Sequence, residues 1–490
     1  MNEFATMLKY AGGLDDVRST TLNGAPALSS TLNALVDLFG VMGAMRNRSE
    51  RDICEMVEKA VREDPLLTLK MVFYARDVRG GLGERRFFRI AMYYLANSYP
   101  NYVKKNIHLF AEYGRYDDLY CLIGTLCEQE MWAYMKSTFE ADIVNMKAGR
   151  EVSLLAKWIK TPDASSQKTR QLGILTAQKL GYSVYEFKRL LRKLRKYIRI
   201  VEAQMSAQNW AEIDYKAVPA RAAMIYRNAF NRHDEERYQQ YLEDVAAGKS
   251  KINASTLYPY DIVEKILYQN EDSIVLQAQW DALPNYIEGE NNFLVMADVS
   301  GSMSGRPMAT SIGLALYFAE RNKGAYHNLF MTFSEAPQIV NVIGKTLADK
   351  VRNAKRENWG RNTDLNRAFE RILHIAKENH VPQNELPKSL IIISDMEIDS
   401  ALGWNFEWDT FYDRWERKFA DAGYKIPNIV FWNVNAMQNT FHADSTKRGV
   451  QLCSGQSAST FKTLLNSIDM TPVEYMLFVL SNIRYSEIRI

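Results

Sequence analysis

The hydrophobic periodicity of this 490-residue chain changes once, near residue 286, and that change limits what it can fold into. Upstream, apolar residues recur at intervals of three and four: Ile53, Met56, Val57, Ala60 and Val61, then Leu66, Leu69, Val72 and Phe73. That spacing puts one apolar stripe on each of many helices. Asp64-Pro65, Gly80-Gly81, Tyr99-Pro100, Gly114, Thr161-Pro162, Gly181 and Val218-Pro219 punctuate the pattern, and no central sheet is signalled. Downstream, short continuous apolar runs predict strands at Phe293–Asp298, Leu329–Phe333, Ile339–Val342, Leu390–Ser394, Ile429–Val434 and Val450–Cys453. Helices are predicted between them, over Pro307–Arg321 and residues 346–356, 364–379, 408–421 and 459–468. Buried strands alternating with helices make a doubly wound α/β sheet.

Two domains follow, an all-α one over 1–285 and an α/β one over 286–490, joined through Asp281–Asn292. Helical pairs continued over nearly 300 residues stack as a HEAT-like solenoid or close into a ring. No clean repeat of about 34 or 40 residues is visible.

The next signal is three separated polar pieces in the α/β half. Asp298-Val-Ser300-Gly-Ser302 follows the first strand, Gly360-Arg-Asn-Thr363-Asp364 opens a helix, and Ser394-Asp395 ends a strand. Such folds bind ligands at the carboxyl ends of their strands. Two carboxylates and three hydroxyls are hard oxygen donors, which suit Mg²⁺ or another divalent cation. In order, the pieces resemble the metal-ion-dependent adhesion site of von Willebrand factor A domains. That resemblance puts Asp298, Ser300, Ser302 and Thr363 around the ion, with Asp395 acting through water. Glu397 and Asp399 follow closely, and either one reaching the ion would lower its appetite for an acidic ligand. The loop also invites comparison with haloacid-dehalogenase phosphatases, which begin with two aspartates. Here Ser300 stands where their acid/base aspartate would be, so a binding site is expected and not an enzyme.

Charge adds a third constraint. Sixty-one Lys and Arg against 58 Asp and Glu leave a net +3, yet residues 151–200 alone hold 12 basic and 3 acidic residues. Within Phe187–Arg199, Phe187, Leu190, Leu191, Leu194 and Ile198, followed by Val201, form the core stripe. Lys188, Arg189, Arg192, Lys193, Arg195, Lys196 and Arg199 take the other faces, which suit either phosphates or solvent. A second basic group, Arg76, Arg79, Arg85 and Arg86, sits in a glycine-containing stretch without Walker or dinucleotide spacing. It reads equally as a helix-to-helix turn with internal Arg–carboxylate pairs, and Gly114–Leu119 resembles another. The six histidines have no metal-ligand spacing, and the aromatic segments Trp404–Trp415 and Val430–Asn433 read as packing. Four cysteines without a CxxC pair, and no long apolar run, point to a reduced cytoplasmic setting with no membrane span.

A helical-repeat region followed by an A domain resembles the TROVE proteins, the Ro autoantigen family. Closer still, Arg76–Arg86, Gly114–Leu119, Ile213–Pro219 and Lys251–Pro259 resemble an uncharacterised bacterial and phage family, domain of unknown function 2828. The Ro resemblance implies a helical ring whose ends the A domain joins, and a non-enzymatic scaffold for small noncoding or misfolded single-stranded RNA. Under that reading Lys188–Arg199 supply part of the phosphate surface, with Arg76, Arg79, Arg85 and Arg86 as outside candidates. The alternative is a protein-interaction adaptor whose metal site captures an acidic residue of a partner.

Overall fold

A computed structural model describes residues 12–287, 292–332, 337–356, 364–399, 411–465, 467 and 469–490. The helical half is built as its punctuation predicts. Asp64 both ends the helix Glu50–Glu63 and caps the helix Pro65–Arg76, its carboxylate accepting from Leu67 N–H at 2.8 Å with Pro65 in the first turn. Gly181, at φ 87°, terminates the helix Gln167–Leu180. Ser183 and Glu186 then form a reciprocal capping box that starts the basic helix Val184–Tyr197. That helix buries Phe187, Leu191 and Leu194, with Phe187 against Phe139.

Two features depart from the expectation of helices alone. A short antiparallel hairpin, β1 (Arg18–Thr20) and β2 (Pro26–Leu28), precedes the first long helix. Residues 201–275 also hold a second core of their own, in which Tyr215, Phe230, Tyr238 and Tyr241 pack ring on ring.

The C-terminal half is a six-stranded sheet of β3 (Phe293–Ala297), β4 (Leu329–Thr332), β5 (Ile339–Asn341), β6 (Ser389–Ser394), β7 (Asn428–Asn433) and β8 (Val450–Ser454). Its spatial order is β5-β4-β3-β6-β7-β8, parallel except for β5. This is the doubly wound order, whose switch point lies between β3 and β6. Most strand ends fall within a residue of the prediction. The predicted end of the second strand at Phe333 and the start of the helix at 408 lie outside the described residues. A last helix, Pro472–Leu480, was not legible as a separate element.

The α/β domain holds both ends of the helical half. At one end the helix Ala34–Val41 lies on β8, where Gly43 N–H donates to Ser454 Oγ at 2.9 Å. A side chain at Gly43 would meet the Ser454 carbonyl, so glycine is what lets the two backbones approach. At the other end the helix Pro259–Gln269 runs along the helix Arg306–Arg321, with Gly313 against the backbone of Pro259 and Tyr260. The C-terminal tail returns to the first layer, where buried Asp77 accepts from the Arg484 guanidinium and from Tyr485 Oη. The helical half meets itself as well, since Gly83 lies directly under Tyr258. The helices therefore form a closed circuit.

The hairpin docks on the α/β domain through paired backbone bonds between Leu28 and Phe441, beside the buried His442. His442 Nε2–H donates to the Met396 carbonyl, and burial pushes the ring down to about 4 from an ordinary 6.5. The unfolded chain thus binds this proton more tightly than the folded one. The stabilisation is complete above pH 6.5 and is lost as pH falls through 4. Acidification across that window is expected to cost about 3 kcal/mol through this ring. Chemical denaturation of wild type and His442→Gln at both ends of the window checks it, and the variant should lose that much less.

Candidate functional site

The helical circuit encloses a cavity of about 1570 Å³. Its wall is drawn from loops around residues 76–85 and 114–115, from 154–163, from the basic helix and residues 199–212 beyond it, and from 219–226 and 256–258. Eleven Lys and Arg line it against three acids, Asp163, Glu202 and Glu212. A concave wall with that surplus concentrates positive potential over a narrow space.

The basic helix is not used evenly. Lys188, Arg192, Arg195, Lys196 and Arg199 line the cavity, whereas exposed Arg189 and Lys193 do not. Lys188 is tied to Asp163 at 2.6 Å, and Arg195 donates to the carbonyls of Ala156 and Ile159 at 2.9 and 3.4 Å. Arg192, Lys196 and Arg199 form no ion pair among the described residues. Arg199 sits just beyond the helix at φ 50°, a left-handed conformation that normally selects glycine.

The second basic group divides as well. Arg76 is buried and its Nε donates to Asp118 Oδ2 at 2.7 Å, so the internal Arg–carboxylate pair exists. Yet Arg76 still borders the cavity, and its Nη2 has no hydrogen-bond partner among the described residues. Arg79 makes an exposed pair with Glu112, and Arg85 lines the cavity without an ion pair among the described residues. Burial and the nearby Arg115 and Arg76 charges push Arg85 down to about 10. Arg86 lies off the wall, its guanidinium on the Met45 carbonyl. Sequence reasoning missed Arg115, Lys157, Arg221 and Trp158 as wall residues. Lys157 falls within the basic segment and could have been included. Arg221, paired with Asp261, carries no local signal at all. The Arg115 guanidinium stacks 4.0 Å from the centre of the Trp158 ring.

Two of the three polar pieces of the α/β domain, those of Asp298 and Asp395, meet at the switch point. Asp298 follows β3 and Asp395 follows β6, and both are buried. Asp298 accepts from Ser300 N–H at 2.8 Å and from Ser394 Oγ at 2.7 Å. Ser300 Oγ and exposed Ser302 Oγ are 3.0 Å apart. Asp395 Oδ1 accepts from Glu397 N–H at 3.1 Å, while its Oδ2 is buried with no hydrogen-bond partner among the described residues. Burial, with Asp395 beside it, raises the Asp298 pKa. Thr363 lies outside the described residues. Glu397 is occupied elsewhere, its oxygens accepting from Leu22 N–H at 2.6 Å, Thr440 Oγ1 at 3.1 Å and Gln438 Nε2 at 3.3 Å. It fastens the hairpin instead. Among the described residues no group of three His, Cys, Asp or Glu is placed to hold a metal, so a cation here would depend on hydroxyl donors.

Residues 21–147 and 178–292 match the family described as Domain of unknown function (DUF2828). The chain is related to the DUF2828 family. Residues 292–480 match a second family, Domain of unknown function (DUF7788). An uncharacterized protein of Acanthamoeba polyphaga mimivirus is 27% identical over 510 positions, covering 94% of this chain and 87% of its own. The crystal structure of the Deinococcus radiodurans Ro (RSR) protein superposes with a TM-score of 0.47 at 16% identity, over 93% of this chain and 100% of that one. In this DUF2828 relative the two families meet at residue 292, just before β3. No helix among the described residues is long and apolar enough to cross a membrane, and all four cysteines are free thiols.

Proposed function

We propose that the protein is a non-enzymatic scaffold that binds single-stranded RNA in the cavity of its helical circuit. The observation that carries this reading is the wall itself, with eleven cations against three acids. Arg85, Arg192, Lys196 and Arg199 make no ion pair among the described residues. Such a wall suits a polyanion, and Tyr226 on the same wall offers a ring to an unpaired base. Retention should be lost as salt rises, because each phosphate contact releases a counterion. The direct test is to purify the protein at low salt and sequence any RNA that accompanies it. A clean preparation at low salt would end the reading and favour an acidic protein partner.

Arg199 separates binding from folding. Arg199→Gly removes one cavity charge while supplying the residue its backbone conformation prefers. Relief of roughly 1 kcal/mol of left-handed strain offsets the extra freedom of glycine in the unfolded chain. Stability is therefore expected to stay within about 1 kcal/mol of wild type, while RNA affinity falls several-fold, measured by thermal denaturation beside fluorescence anisotropy.

For the α/β domain we propose a Mg²⁺ site made by Asp298, Ser300 and Ser302, with Thr363 and Asp395. The orphaned Asp395 oxygen and the hard donor set support it. The ion would offset the repulsion between the two buried carboxylates and act as a Lewis acid. Mg²⁺ at about 100 times its dissociation constant would add about 2.7 kcal/mol of stability. The melting temperature should rise by several degrees with Mg²⁺ in wild type and stay unchanged in Asp298→Ala.

A further inference from the structure

In the cavity wall the two glycine-containing turns come together, Val78 N–H donating to the Tyr113 carbonyl at 3.0 Å. Five cations there share two carboxylates. Asp118 is held by Arg76 and Arg89, each at 2.7 Å. Asp117 is held by Arg115 at 2.9 Å, Arg89 at 3.2 Å and Lys160 at 3.5 Å. Arg85 has no ion pair among the described residues. The neighbouring Glu84 adds nothing to the balance, because Arg46 neutralises it at 2.7 Å. The five cations leave a surplus of three positive charges; Arg76, Arg85 and Arg115 among them line the cavity, and the buried Arg76 carries an unpartnered Nη2. A desolvated guanidinium N–H without an acceptor is costly, and Arg76 borders the cavity in which a ligand would lie. Gly114 shapes this part of the wall, since any side chain there would run into Arg76 Nε and Asp118.

An internal phosphodiester brings one negative charge and would leave most of the surplus. A phosphomonoester brings nearly two, with three strong acceptor oxygens suited to guanidinium forks. We propose that the cluster of Arg76, Arg85 and Arg115 binds a phosphomonoester, namely the phosphorylated end of a nucleic-acid strand whose chain continues along Arg192, Lys196 and Arg199. This rests on the RNA-binding reading above and adds the chemistry of the strand end. It gives the cavity a polarity, with these three reading a terminus and the rest of the wall holding backbone.

The test uses the full-length protein and three oligouridylates of one length, carrying a 5′-phosphate, a 3′-phosphate or only hydroxyl ends. Anisotropy should show one phosphorylated strand binding roughly tenfold tighter than the hydroxyl strand, the effect of one added charge-assisted contact. Arg85→Ala, which breaks no ion pair among the described residues, should erase that preference with an unchanged melting temperature, whereas Lys196→Ala should weaken all three strands alike. Equal binding of all three by wild type overturns the end subsite and leaves the RNA reading standing. Calorimetry with inorganic phosphate separates the remaining case. If no strand binds but phosphate binds and Arg85→Ala abolishes it, the subsite serves a small phosphomonoester and the RNA reading falls. If nothing binds, both fall.

Discussion

Replacing Arg192, Lys196 and Arg199 together by glutamate is expected to cut affinity for single-stranded RNA by at least about a thousandfold at 0.1 M salt. The three line the cavity and lack ion pairs among the described residues, so their full charge is available to a ligand. Reversal changes the wall by six units and turns its most accessible stretch repulsive. Replacing the same three by alanine should flatten the dependence of log affinity on log salt by about 2, near 0.7 for each phosphate no longer neutralised. The control lies on the same helix. Reversing exposed Arg189 and Lys193, which point away from the cavity, should change affinity by no more than about threefold, because their field is screened over roughly 10 Å. Anisotropy titrations from 50 to 200 mM salt decide it. If both sets of reversals weaken RNA equally, the binding surface is the outside of the helix and not the cavity.

The largest loss of stability is expected from Asp118→Ala. Asp118 is completely buried and accepts from Arg76 Nε and Arg89 Nε, each at 2.7 Å, and from Arg115 N–H at 3.0 Å. Removing it strands the buried Arg76 guanidinium, a loss of about 3–5 kcal/mol. The pair is costly to break yet contributes little beyond an apolar pair of equal volume, so Arg76→Met in the Asp118→Ala background should recover part of the loss. Denaturant titration of the two single variants and the double one checks this. Additive losses would mean that the two residues stabilise the fold independently.

Much of the fold was legible because periodicity is local. Ile53 through Val61 and Phe187 through Leu194 declare their buried faces whatever they pack against; the first stripe is buried throughout, and in the second Phe187, Leu191 and Leu194 are buried while Leu190 is half-buried. The sheet strands stood out because each is covered on both faces, which requires an unbroken apolar run such as Leu390–Ile393. Asp298 and Asp395 were legible as neighbours because each immediately follows such a run, and adjacent parallel strands bring their carboxyl ends together. The hairpin at 18–28 was not legible, since three-residue strands hold too few residues to show a period of two. The core around Tyr215 and Tyr241 was hidden because its aromatics are scattered through a polar segment.

Composition and order of residues thus determined by themselves that a helical half precedes a doubly wound α/β half. They also determined that one segment carries an excess of positive charge and that hydroxyls and carboxylates gather at strand ends. Only the tertiary structure decided what each charge does. Lys188 and Arg195 are spent on internal partners while Arg192 and Lys196 on the same helix, and Arg199 just beyond it, are not. Glu397 holds Leu22, and Asp77 holds Arg484, 407 positions away. A helix face repeats every few residues and is written in neighbouring letters. The partner of a charge is set by where the whole chain returns, and no local pattern records that.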